Sequence, residues 1–165
     1  MDTRARLLEA ALDLLEADPS ASPSLRAIAR ASGLSEAAPY RHFPNKAALM
    51  SELAGEGFRR LGEVLAPLEQ RVELTKADVW QAYSAFAASQ PALYALMHRL
   101  DPGQSTPSTS HRAFALAEFA RLTRLAERLV SCVDAQQEAF DWWCAFHGRV
   151  EIERVGLRPP SLPFP

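Results

Sequence analysis

Apolar residues recur at intervals of three and four along nearly the whole chain, and that period is helical. Leu7, Leu8, Ala11, Leu12 and Leu15 make one inward stripe, which predicts a helix from about Thr3 to Ala17. Asp18-Pro19-Ser20-Ala21-Ser22-Pro23 is a loop by composition. Leu25, Ile28 and Ala29 then restart the period. A long helix is expected from Lys46 to about Val72, carrying Leu49, Leu53, Leu61, Val64, Leu65 and Leu68. Gly55, Gly57 and Pro67 weaken it, so a kink or early end is expected near Pro67. Val79, Tyr83, Phe86 and Ala87 carry the next helix, Ala77 to Ser89, and Pro91 opens a short one containing Leu93, Tyr94, Met97 and Leu100. DPGQSTPSTS at 101–110 is the clearest loop. Beyond it, His111 to Cys132 is apolar over a wide arc, with Arg121, Arg124 and Arg128 marking a narrow wet side. The last helix, Asp134 to Gly156, carries Trp143, Phe146, His147 and Val150, and the proline-rich end from Arg158 cannot be helical. With no strand signal and no internal repeat, the expected fold class is all-α.

The segment 24–46, SLRAIARASGLSEAAPYRHFPNK, holds the densest chemistry. Ser24 is placed to N-cap a helix, and Gly33 stands where that helix must stop, because glycine takes positive φ without a Cβ clash. Leu34 is expected to plug back against the first helix, and Ser35 to cap the next, which should run about two turns from Glu36 to Phe43. Pro39, at the fourth position of that helix, is expected to remove about one hydrogen bond there. Helix, glycine turn, helix is the helix-turn-helix arrangement, whose second helix enters the major groove.

The stretch LLEAALDLLEADPSASPSLRAIARASGLSEAAPYRHFPNKAALMSEL resembles the DNA-binding domain of the TetR family of bacterial transcriptional regulators. The most specific part is Tyr40-Arg41-His42-Phe43 followed by Lys46, similar to the family's Y-x-H-F-x-x-K pattern. The resemblance implies that Tyr40, His42 and Lys46 touch DNA phosphates, while Ser35, Glu36, Ala37 and Pro39 approach base edges. Phe43 is expected in the core. Lys46 begins a helix that Asn45 can cap, where free amides also favour an anion. Ser24, first of all a cap, is a secondary phosphate candidate, and Arg26 lies near enough to the groove to assist. Arg41 is the one candidate for reading guanine.

Charge qualifies this picture. The 165 residues are 48% hydrophobic and 23% charged, a globular composition, and the formal net charge is −2. Residues 1–50 carry six basic side chains (Arg4, Arg6, Arg26, Arg30, Arg41, Lys46) against six acidic ones (Asp2, Glu9, Asp13, Glu16, Asp18, Glu36). DNA affinity must therefore come from local placement, and non-specific binding should be weak. No apolar run approaches the ~20 residues that span a bilayer, so no membrane partner is expected. No secretory segment follows the N-terminus, and Cys132 and Cys144 are too few for a disulfide framework, so a cytoplasmic location is expected. Cys144 and His147 stand three apart on one predicted helix, but no further ligands lie nearby in sequence, and neither a metal site nor a cofactor is expected.

The second half carries a looser resemblance. Tyr83-x-x-Phe86-Ala87, Pro91-x-Leu93-Tyr94-x-Leu96-Met97 and Trp143-x-x-x-His147-Gly148 are similar to the TetR subgroup whose C-terminal domain is named for its W, H and G. This implies a helical body that binds a small-molecule effector and forms a homodimer, usually with one more helix where 158–165 is proline-rich here. The apolar lining expected for an effector is Trp80, Tyr83, Phe86, Tyr94, Met97, Phe114, Trp143 and His147. The expected organisation is a head at 1–47, a body at 48–157 and a tail at 158–165. The expected function is a ligand-responsive repressor binding double-stranded DNA as a homodimer. The alternative is a helical sensor or partner-binding module without operator binding. No nucleophile or metal signature supports an enzyme.

Overall fold

A computed structural model describes residues 2–18, 22–99, 109–130 and 134–157, and the helical period of the sequence is realised throughout them. The helices are α1 (Thr3–Ala17), α2 (Leu25–Ala31), α3 (Ala38–His42), α4 (Lys46–Leu65), α5 (Lys76–Ser89), α6 (Pro91–Met97), α7 (Thr109–Glu127) and α8 (Ala135–Arg154), with a 3₁₀ helix at Ala66–Gln70. No strand occurs among the described residues, so the fold is all-α. The expectations for Leu100, most of the 101–110 loop, Cys132 and the 158–165 tail lie outside the described residues.

α4 ends seven residues earlier than the sequence period suggests. Pro67 has no N–H to donate and disfavours helical backbone in the residue before it, so the chain tightens into the 3₁₀ helix instead. Gly55 and Gly57 leave α4 unbroken.

The described residues fall into two compact units, which do not follow chain order: 1–57 with 90–114, and 58–89 with 115–165. In the first, the α1 stripe of Leu7, Ala11, Leu12 and Leu15 is buried against Leu25 and Ile28 of α2, Phe43, and Leu49 and Leu53 of α4. Ala92 and Leu93 of α6 join the same core, so a helix expected with the body packs with the head. Each large side chain buried here contributes about 1.5–3 kcal/mol.

The second unit is aromatic at its centre. Trp80 and Tyr83 of α5 lie 5.3 and 5.5 Å from Phe146 of α8, which stacks at 6.3 Å on Trp142. α5 starts with a reciprocal cap: the Thr75 N–H donates to Asp78 Oδ2 at 2.8 Å and the Asp78 N–H to Thr75 Oγ1 at 3.2 Å. The Thr75 hydroxyl, donating to Asp78 Oδ2 at 2.7 Å, and the Thr75 N–H, helped by Arg71 at 2.7 Å, hold the Asp78 carboxyl below its ordinary range.

The arginines of α7 and of the turn just after it do more than wet one face. Arg128 donates to the carbonyls of Leu68 and Glu69 at 2.7 and 2.9 Å, and to that of Arg71. Arg121 and Arg124 reach Glu69 Oε1 at 2.7 and 3.0 Å. The end of a 3₁₀ helix leaves carbonyls without intrahelical partners, and the forked donors of arginine suit them. Arg121 also pairs at 3.3 Å with Glu118, a buried carboxylate lying against Gly62. A Cβ at Gly62 would stand 2.2 Å from Glu118 Oε1, so the glycine makes room for that carboxylate.

Burial pushes the Glu118 carboxyl above its ordinary 4.5, opposed by Arg121 and Arg124. At Glu118 the folded chain therefore keeps its proton to higher pH than the unfolded chain does, and this group's contribution to stability falls as pH rises above about 4.5. Wild type should accordingly lose stability relative to Glu118→Gln between pH 4.5 and 7 in urea unfolding. A difference that stays constant across this range would contradict the assignment.

Candidate nucleic-acid interface

The geometry of the interface begins at Ser24, whose Oγ accepts from the Ala27 N–H at 3.1 Å and caps α2. α2 stops at Gly33, with φ +67°. The Gly33 N–H donates to the Arg30 carbonyl at 3.1 Å and the Leu34 N–H to the Ala29 carbonyl at 2.9 Å. This pair of bonds is a Schellman motif, with Leu34 packed against the core as its hydrophobic contact. Arg6 of α1 donates to the Ser32 carbonyl at 2.7 Å and ties the turn to the first helix.

α3 is shorter than the sequence suggests and differs at its start. It begins at Ala38, after a turn at Glu36 and Ala37, and its N-terminus has no side-chain cap. Ser35 contributes its carbonyl, which accepts from the Ala38 N–H at 2.9 Å, and not its hydroxyl. Pro39 lies in the first turn, where its missing N–H would have no partner anyway, so it removes no helical hydrogen bond. Pro39 is buried, as is Phe43, and between them these two side chains seat α3 on the head.

What remains outside is the side chains of Tyr40, 57% exposed, Arg41 and His42, together with Ser35, Glu36 and Ala37. Ser24 and Arg26 are exposed as well. Pro39 thus stands apart from the other sequence-derived base candidates, because its ring faces the core. Asn45 Oδ1 accepts from the Ala48 N–H at 2.8 Å and caps α4, and the half-buried Lys46 donates from Nζ to Ser22 Oγ. Arg4 pairs with Glu52 and lies 5.7 Å over the Phe43 ring. Arg26 and Arg30 both reach Glu36, at 3.5 and 3.9 Å. Among the described residues of the head, Arg41 is the cation left without an ion pair or hydrogen bond.

The residues expected around an effector are distributed over both units. Tyr94 and Met97 are buried in the first, where Phe114 is 39% exposed. Trp80, Tyr83 and Phe86 are buried in the second, with the partly exposed Trp143 and His147 on α8. Trp143 stacks on Phe119 at 5.8 Å and meets Phe58 edge-on at 6.3 Å. Sequence reasoning passed over Trp142, the fully buried tryptophan of α8. Its spacing of four from Phe146 marks that inward face.

A family model described as bacterial regulatory proteins, tetR family, matches residues 7–53. A second, described as the tetracyclin repressor-like C-terminal domain, matches 77–163, more than half of the chain. The chain belongs to the TetR family. Both TetR motifs in the sequence, the one around Tyr40 and the one around His147, fall within these matches. The chain is 44% identical over 52 residues to the nucleoid occlusion factor SlmA of Marinomonas sp. (strain MWYL1), covering 32% of this chain and 26% of that protein. It is 30% identical over 93 residues to the SlmA of Marinobacter nauticus, covering 54% and 48%. These matches span between about a quarter and about half the length of the curated relatives. The structure of a protein of unknown function from Rhodococcus sp. RHA1 is similar over 99% of this chain and 88% of its own, with a TM-score of 0.81 and 29% identity.

The turn that builds the TetR head can be tested directly. A Cβ at Gly33 would meet nothing closer than Arg6 Nη2 at 3.6 Å, so the cost of substitution there is conformational. Gly33→Ala should destabilise the protein by about 1–2 kcal/mol in urea unfolding. Gly33→Asn should cost clearly less, since asparagine tolerates positive φ. Equal losses for both would show that space is the limit at this position.

Proposed function

We propose that this TetR-family chain is a ligand-responsive repressor that binds a near-palindromic DNA operator as a homodimer. The observation that carries the reading is the seating of α3: Pro39 and Phe43 are buried, and Tyr40, Arg41 and His42 are presented together to solvent. Tyr40 and His42 serve as phosphate contacts with Lys46, whose ammonium exchanges Ser22 for a phosphate oxygen. Ser24 and Arg26 lie at the start of α2 and extend that contact line. Such contacts set register without reading sequence. Arg41, free of other partners, reads guanine, while Ser35, Glu36 and Ala37 face neighbouring bases.

Dimerisation in this reading uses the outer faces of α7 and α8. Leu116 is 54% exposed on α7, Phe140 and Ile152 are exposed along α8 with the small residues Ala145 and Gly148 between them, and Val155 is exposed at the C-cap of α8. A stripe of apolar and small side chains suits close helix contact with a second copy, which would set two heads about 34–36 Å apart. The effector, a small apolar molecule, is recognised by the partly exposed Trp143 and His147. It can release DNA only through a preference for one body conformation. The relatives named nucleoid occlusion factors favour a second reading, in which DNA binding by the head serves nucleoid occlusion and not the control of a promoter.

Selection of bound DNA from a random pool tests the proposal: a repeated half-site supports it, and no enrichment at low salt rejects it. Lys46→Ala should weaken binding alike on selected and random DNA and reduce the salt slope by about 0.9, one phosphate's worth. Tyr40→Phe should lower affinity about three- to tenfold with no change in preferred sequence, as loss of one hydrogen bond requires. For the dimer, Ile152→Glu should sediment as a monomer and select single half-sites. A dimer that persists with this substitution would remove α8 from the interface.

A further inference from the structure

We propose that Glu36 is a built-in counter-charge that holds Arg26 and Arg30 away from DNA phosphates, and so sets how strictly the head discriminates its own site from other DNA. The inference rests on the DNA-binding reading above and assigns a specificity role inside it.

Three observations carry it. Both arginines lie four apart on the exposed face of α2, 71% and 80% exposed, where two like charges would otherwise repel. One carboxylate, itself 59% exposed, reaches both, at 3.5 Å from Arg26 Nε and 3.9 Å from Arg30 Nη2. Glu36 comes from the turn that leads into α3, the element presented to a groove, and not from a distant part of the head. The counter-charge therefore travels with the reading surface.

Exposed pairs at these distances are weak and exchange readily with other anions. On arbitrary DNA the carboxylate both occupies the arginines and faces the phosphates with its own negative charge. Binding then gains little from Arg26 and Arg30. On a matched site, close docking gives the arginines phosphate oxygens in place of Glu36. The freed carboxylate can accept from a cytosine amino group, which is the base edge suited to it. The same three side chains thus suppress loose binding and reward a fit.

The test compares the full chain with Glu36→Gln on a selected operator and on random duplex DNA over a range of salt. Glu36→Gln should bind random DNA about threefold tighter or more, with a salt slope steeper by about 0.9 for each arginine released. The ratio of operator to random affinity should fall. That gain should vanish when Arg26→Gln and Arg30→Gln are added, which separates charge release from any change in folding. Unchanged affinity and slope on random DNA for Glu36→Gln, with wild type binding the operator, would overturn this role alone. Reduced operator affinity with random binding untouched would make Glu36 a base contact only and would overturn it too. Wild type that binds neither DNA at low salt would remove both this inference and the function on which it rests.

Discussion

The left-handed turn at Gly33 is the constraint on which the geometry of the head depends. It stops α2 after seven residues and satisfies two of the carbonyls left over at its end. It also sends Leu34 back into the core laid down by α1. Arg6 locks the same turn from the side through the Ser32 carbonyl. Once the chain leaves Gly33 in that direction, the burial of Pro39 and Phe43 fixes the roll of α3. The side chains between and beside these anchors are left to face water. A five-residue helix has almost no stability of its own, so its orientation is inherited from these contacts.

The charges of the head have a comparable logic. Its composition is balanced, yet the positive groups are not equivalent. Arg4 and Arg6 are spent on holding α1 to α4 and to the Gly33 turn, and Arg26 and Arg30 share a single carboxylate. Arg41 stands open on α3. Net charge therefore understates what the exposed surface offers an anion. The second unit uses arginine differently: Arg128 supplies donors to backbone carbonyls at the end of the 3₁₀ helix, and Arg121 and Arg124 meet the Glu69 carboxylate there.

Much of this was legible in the sequence, for local reasons. α1 was readable because its stripe is clean, and the Ser24 cap, the Gly33 stop and the Asn45 cap because each depends on chemistry within a few residues. Phe43 in the core followed from the family motif. The start of α3 was misplaced because Ser35 looks like a cap, whereas proline geometry at Pro39 decides where the helix begins. Arg121, Arg124 and Arg128 looked solvated because their partners around the 3₁₀ helix lie more than fifty residues away. The docking of α6 with the head was invisible for the same reason. Between Trp142 and Trp143 the motif drew attention to the second, but adjacent helical positions differ by about 100°, and only packing decides which one turns inward.

The brevity of α3 limits how much information one head can extract. Five residues rise about 7.5 Å along a helix axis, little more than two base-pair steps of about 3.4 Å. Each correctly read pair is worth about 1–3 kcal/mol of discrimination. A single head reading so few pairs would find matches throughout any genome. In the proposed dimer a second head doubles the pairs read, and further selectivity would come from properties that no side chain touches, such as the local width of the grooves and how easily the intervening duplex bends. Under the proposed function, a protein built this way would recognise the mechanical character of its site as much as its letters.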